Sequence, residues 1–128
     1  MPAVKQSPVD QPLFDEVQIS LLRDALGEDD MRAMLSELPG AAGEACQKIT
    51  AALGSNDLAG VWRLAHAFKG VASSFGAARL AAIARELELE ATSLASMKQC
   101  LPALANAVDA TLAALPDLEL ASAVGAKA

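Results

Sequence analysis

Apolar positions recur along this chain with a helical period, and nowhere with the sustained alternation of a strand. From Phe14 to Leu26, behind an acidic opening, Val17, Leu21, Leu22, Ala25 and Leu26 share one face, and Gly27 ends the run. A second run, from about Asp29 to Leu53, carries Met31, Met34, Leu35 and Leu38, then Ala42, Ala45, Cys46, Ile49 and Leu53. Pro39-Gly40 falls in its middle, where a ring without an N–H predicts a kink or a split. Gly54-Ser55-Asn56 stops this run, and Asp57 is placed to cap the next one. The third helix is predicted over Leu58 to about Ser74, with Leu58, Val61, Ala65, Phe68 and Ala72 in its apolar arc and Trp62 at the edge. Phe75-Gly76 makes a turn. A fourth helix, Ala77 to about Ala95, turns Leu80, Ile83, Ala84, Leu87, Ala91 and Leu94 inward. Ser96 and Gln99 have capping-box spacing and open a fifth, whose core residues are Met97, Leu101, Leu104, Val108, Thr111, Leu112 and Leu115.

Short connections make consecutive helices antiparallel neighbours. The expected fold is therefore all-α: an up-down antiparallel four-helix bundle with an additional short N-terminal helix packed across one end. Residues 1–12, with three prolines and little apolar pattern, read as a flexible leader. The bundle domain is expected over 13–116 and a fraying tail over 117–128. A chain of 128 residues suffices for one such core, and no internal repeat divides it.

Composition supports helices. Hydrophobic residues make up 53% of the chain and aromatics 3%, a balance that suits close helix packing better than a sheet. No apolar run approaches the roughly 20 residues of a membrane span, and the first residues lack the apolar core of a secretory signal. A soluble, cytoplasmic protein is expected. Cys46 and Cys100 are far apart and in no metal or redox spacing, so they read as buried thiols. With a single histidine, no metal site is expected.

Charge is unevenly distributed. The net charge is −6, yet Leu58 to Arg85 contains no acidic residue and holds Arg63, Lys69, Arg79 and Arg85. Nucleic-acid surfaces are usually denser and sit in basic proteins. A small cationic zone in an acidic chain suits one phosphoryl group, or the acidic pocket of a protein that carries it.

That zone surrounds His66. Lys69 and Gly70 follow it by three and four residues, one turn away on the same face, and Gly76 follows by ten. Mid-helix glycine costs roughly 1 kcal/mol relative to alanine, which suggests that something approaches the histidine closely. Helical projection sets His66 on the flank of the apolar arc, near Trp62, Ala59, Gly70 and Ser73. It is oriented by packing and still reachable. Each residue alone has a plainer reading: a boundary histidine, a solvated lysine, a turn glycine, a tryptophan at the core edge.

The stretch Ala65 to Ala77, Ala-His-Ala-Phe-Lys-Gly-Val-Ala-Ser-Ser-Phe-Gly-Ala, resembles the signature of the histidine phosphotransfer (HPt) domain family. Asp57 and Leu87-Glu88 also stand where that family tends to have Asp and Leu-Glu, while Leu38 and Pro39-Gly40 depart from its pattern. The resemblance implies a phosphorelay intermediate. His66 would take a phosphoryl group from a receiver-domain aspartyl phosphate and pass it to a response-regulator aspartate. Lys69 would supply positive charge, Gly70 clearance, and Ser73 a hydrogen-bonding neighbour. Gly76, Trp62, Arg63 and Arg85 would complete the binding surface. Antiparallel pairing about Phe75 puts Ala84 and Arg85 level with His66 and Glu88 a turn away. Glu88 is thus the candidate to hold Nδ1, with a solvated acid in the run Glu86, Glu88, Glu90 as its alternative. No cofactor, nucleic acid or membrane is implied. Mg²⁺ and most catalytic groups would belong to the receiver, and the chain would be a monomer without kinase activity of its own.

Two other readings stand beside this one. A degenerate kinase-derived phosphotransferase would build its bundle as a dimer. A helical interaction module would use the acidic surface and leave His66 incidental.

Overall fold

Asp15 starts the first helix of the computed structural model, its side chain accepting from the N–H groups of Val17 and Gln18. The structure describes residues 7–127, with side chains described to 118. The first six residues of the expected leader and the last residue of the expected tail lie outside the described residues. Helix α1 (Glu16–Leu26) ends at Gly27, whose φ of 82° suits glycine. Helix α2 (Glu28–Leu35) and helix α3 (Leu38–Gly54) replace the single long second helix. The split follows from Pro39. In the first turn of α3 its missing N–H costs nothing, whereas in one continuous helix its ring would meet the carbonyl of Leu35.

Helix α4 (Leu58–Ser74) keeps its expected bounds, and α5 (Ala78–Arg85) follows the turn at Phe75-Gly76. Beyond Arg85 the structure departs from expectation. The helix does not continue to Ala95. It widens into a π-turn over Glu86–Glu90, closed by Ala91 N–H donating to the Glu86 carbonyl at 2.8 Å, and the backbone is extended at Ala91. Helix α6 (Leu94–Gln99) is capped by Ser93, in a reciprocal box with Ser96 and not by Ser96 with Gln99. Pro102 then enforces a new first turn, and α7 runs Leu101–Lys127, through Pro116 and past the expected end of the domain.

Helix α4 lies between α3 and α5, and α7 packs against both of those, so α3, α4, α5 and α7 close a bundle within one chain. Helix α2 rests on α7, and α1 on α2. The start of α1 is also tied to the α4–α5 turn, where Asp15 N–H donates to the Gly76 carbonyl at 2.9 Å. Leu38, Ile49, Leu53, Val61, Leu80, Ile83, Leu87 and Leu104 are fully buried, each stabilising the fold by about 1.5–3 kcal/mol. Thr111 is buried among them, as its helical position required. Part of the expected leader is packed: Pro8–Asp10 form a 3-10 turn against α5, and Arg79 Nε donates to the Gln11 carbonyl at 2.8 Å. Both cysteines are free, and they are half-buried where full burial was expected.

Candidate functional site

Helix α4 is built to hold one register firmly. Asp57 caps it by accepting from the Gly60 N–H at 2.9 Å, and Gly60 is the residue a Cβ would drive into that carboxylate. Val61, Ala65, Phe68 and Ala72 recur at helical spacing and are buried, which pins the rotation of the helix against α3 and α5. His66 is the next residue after a buried one, so it emerges at the edge of that stripe with its side chain 59% exposed.

The facing wall comes from α5. Leu80, Ile83, Ala84 and Leu87 bury its apolar side. In the π-turn beyond Arg85, residues advance less about the axis than in an α-helix, and Glu88 is left facing α4 beside Leu87. Its side chain is only 5% exposed, so it is not a solvated acid. A buried carboxylate requires partners. His66 Nδ1 lies 3.0 Å from Glu88 Oε1, and Lys69 Nζ lies 3.3 Å from Oε1 and 3.1 Å from Oε2. The hydrogen bond with His66 is the main cause holding the Glu88 carboxyl below its ordinary value. Burial pulls the other way, and Lys69 adds to the lowering.

An ionised carboxylate only accepts, so the neutral imidazole that satisfies this contact donates through Nδ1–H and carries its lone pair on Nε2. One face of the ring is also covered. Trp62, one turn earlier, stacks on the imidazole with ring centroids 5.6 Å apart and planes 11° from parallel. At 47% exposed, Trp62 stands at the edge of the core and presents much of its ring at the surface beside the histidine.

Not every predicted residue joins this group. Arg63 and Arg85 are exposed and make no ion pair with Glu88. Gly70 is exposed, and a Cβ there would meet nothing within 4 Å among the described residues, which leaves the surface beyond His66 clear. Ser73 lies two turns on, roughly 10 Å along the axis, and its carbonyl accepts from Gln18 Nε2. Gly76 lies roughly 15 Å away along the axis and serves the turn. Its φ is 70°, and the bonds Gly76 N–H to Ser73 carbonyl and Ala77 N–H to Ala72 carbonyl form a Schellman end. Sequence reasoning missed the π-turn. No glycine or proline marks it, and the Glu-Leu-Glu-Leu-Glu alternation over 86–90 is its one local irregularity.

Among the described residues no cluster of three or more His, Cys, Asp or Glu could hold a metal ion. Nor is any helix there long and apolar enough to cross a membrane. What the group offers is one oriented nitrogen nucleophile, with a carboxylate behind it and an ammonium beside it. In comparison with known proteins, the family model described as Hpt domain matches residues 16–115. No curated protein and no solved structure matches the chain.

Proposed function

The chain belongs to the Hpt domain family, phosphotransfer modules of two-component signalling, and from that premise we propose that His66 is the phosphoryl-carrying residue of a multistep phosphorelay. The observation that carries this reading is the His66 Nδ1–Glu88 Oε1 bond, because it leaves Nε2 as the nucleophile. The Nε2 lone pair attacks the phosphorus of a receiver's aspartyl phosphate. The new N–P bond forms as the acyl-phosphate O–P bond breaks, and the aspartate leaves as a carboxylate. The ring becomes a cation, its Nδ1 proton still shared with Glu88, whose negative charge stabilises it. Transfer onward to a response-regulator aspartate is the reverse step. Phosphoryl transfer depends mainly on positioning and on charge placed around the transferring oxygens. Lys69 Nζ, next to Glu88, is the nearby cation that turns to those oxygens, and Gly70 gives the receiver's loops clearance.

On this reading the protein is no kinase. The receiver brings Mg²⁺ and most of the catalytic groups, and its partners are the receiver domains of a hybrid sensor kinase and of a response regulator. The protein works in the cytoplasm as a monomer. Closure of α3, α4, α5 and α7 within one chain supports a monomer over the dimeric kinase-derived alternative.

The test is transfer from a panel of phosphorylated receiver domains, with His66→Gln run alongside. Rapid labelling of the wild type alone, as an acid-labile and base-stable phosphate, is expected. No labelling of folded wild type by any receiver overturns the relay and leaves an interaction module.

A further inference from the structure

Trp62 is spent on the surface. An indole buried with the core would add apolar stabilisation, yet this one is 47% exposed and lies nearly parallel to the imidazole of His66. Its spacing of one helical turn brings the two rings together, and the separation of 5.6 Å is that of an offset stack. It also lines an open groove of about 430 Å³ with Leu58, Ala91 and Met97, so it is not wedged by the interior.

We infer that Trp62 is a positioning residue for phosphoryl transfer, fixing the plane of the His66 ring while Glu88 fixes which nitrogen faces outward. The inference rests on the relay reading and deepens it. One hydrogen bond at Nδ1 still leaves the imidazole room to rock about its Cβ–Cγ bond. The Nε2 lone pair lies in the ring plane, so whatever sets the plane sets the line of attack. In-line displacement is sensitive to that line, and a misplacement of about 1 Å can cost roughly a hundredfold in rate. A flat indole against one face removes the rocking motion on that side. Losing it also loosens the Nδ1–Glu88 bond, because a ring that rocks spends less time in hydrogen-bonding geometry.

Three full-length proteins decide the matter: wild type, Trp62→Ala and Trp62→Phe. Phosphoramidate serves as the donor, its P–N bond breaking as the bond to Nε2 forms and ammonia leaves, with no partner protein required. Because the chain has one histidine, ¹⁵N shifts of a single imidazole report its tautomer directly. Trp62→Ala is expected to label about tenfold more slowly and to move the ring away from the Nδ1–H form. Trp62→Phe keeps a stacking face and is expected to restore both. A wild-type rate in Trp62→Ala overturns the inference. Slow labelling with an unmoved tautomer also overturns it, since that result assigns Trp62 to folding or donor access. So does a phenylalanine variant as slow as the alanine one, or a wild type inert to phosphoramidate. Failure with receiver domains alone would instead overturn the relay, and the ring measurements would still decide the part played by Trp62.

Discussion

Glu88 Oε1 and His66 Nδ1 meet at 3.0 Å between the π-turn and α4, joining residues 22 positions apart in sequence. The contact pairs an exposed imidazole with a nearly buried carboxylate, and Lys69 closes the charge on the carboxylate's other side. Removing the carboxylate therefore frees two side chains at once. Glu88→Ala is expected to slow phosphoryl transfer to His66 by about tenfold to a hundredfold, through lost orientation of the ring. Single-turnover labelling by a phosphorylated receiver measures it, and an unchanged rate would take Glu88 out of the reaction.

The same carboxylate sets a pH dependence of stability. Its folded-state pKa is lowered, chiefly by the His66 hydrogen bond, so as pH falls the unfolded chain takes up the proton first. The contribution is fully present above the unfolded value of about 4.3, and it is lost as pH falls through the folded one. Urea midpoints of wild type and Glu88→Gln, compared between about pH 3 and about pH 6, should differ most at the upper end and converge toward the lower. A gap that widens on acidification would contradict the assignment.

Gly70 separates the needs of the fold from those of a partner. Among the described residues nothing lies within 4 Å of a Cβ there, and alanine is the better helix former by up to about 1 kcal/mol. Gly70→Ala should raise the melting temperature while slowing transfer from a receiver. A stabilised variant with an undiminished transfer rate would show that the clearance is not used.

Gly76 behaves in the opposite way. Its φ of 70° and the 3.1 Å from an added Cβ to Ile19 Cδ1 leave no comfortable place for a side chain. Gly76→Ala is expected to cost about 1–2 kcal/mol in urea denaturation, from the left-handed backbone alone. Once folded, it should label at the wild-type rate, because the turn is well removed from His66.

Local chemistry made much of this legible in the sequence. Pro39, the Asp57 cap, the buried stripe of α4 and the glycine turn at 76 each follow from rules that act within a few residues. Those rules were enough to bring Glu88 within a turn of His66. They could not tell a buried carboxylate from a solvated one, because the answer lies in how the chain winds after Arg85. Thr92-Ser93 marks the break at Ala91 locally, but nothing local marks the wider turn before it. The break is set by burial of Leu87, Ala91 and Met97 in one core while Ser93 caps the next helix. The extent of Trp62's exposure was hidden for a related reason: periodicity places a residue on a face, and the neighbouring helices decide how far that face is covered.

The winding after Arg85 has a bearing on how this site can change. A π-turn holds one residue more than the α-turn it interrupts. Substitution can weaken the histidine or its carboxylate, but it leaves the count of the backbone untouched. Loss of a single codon between Glu86 and Glu90 would let the helix rewind and swing the side chains beyond the deletion around the axis, with Leu87 still available to the core. The pairing of these two residues is thus encoded as a length as well as a pair of identities. Insertions and deletions, usually confined to loops, become here a means by which a lineage could silence or re-aim the nucleophile while keeping the bundle.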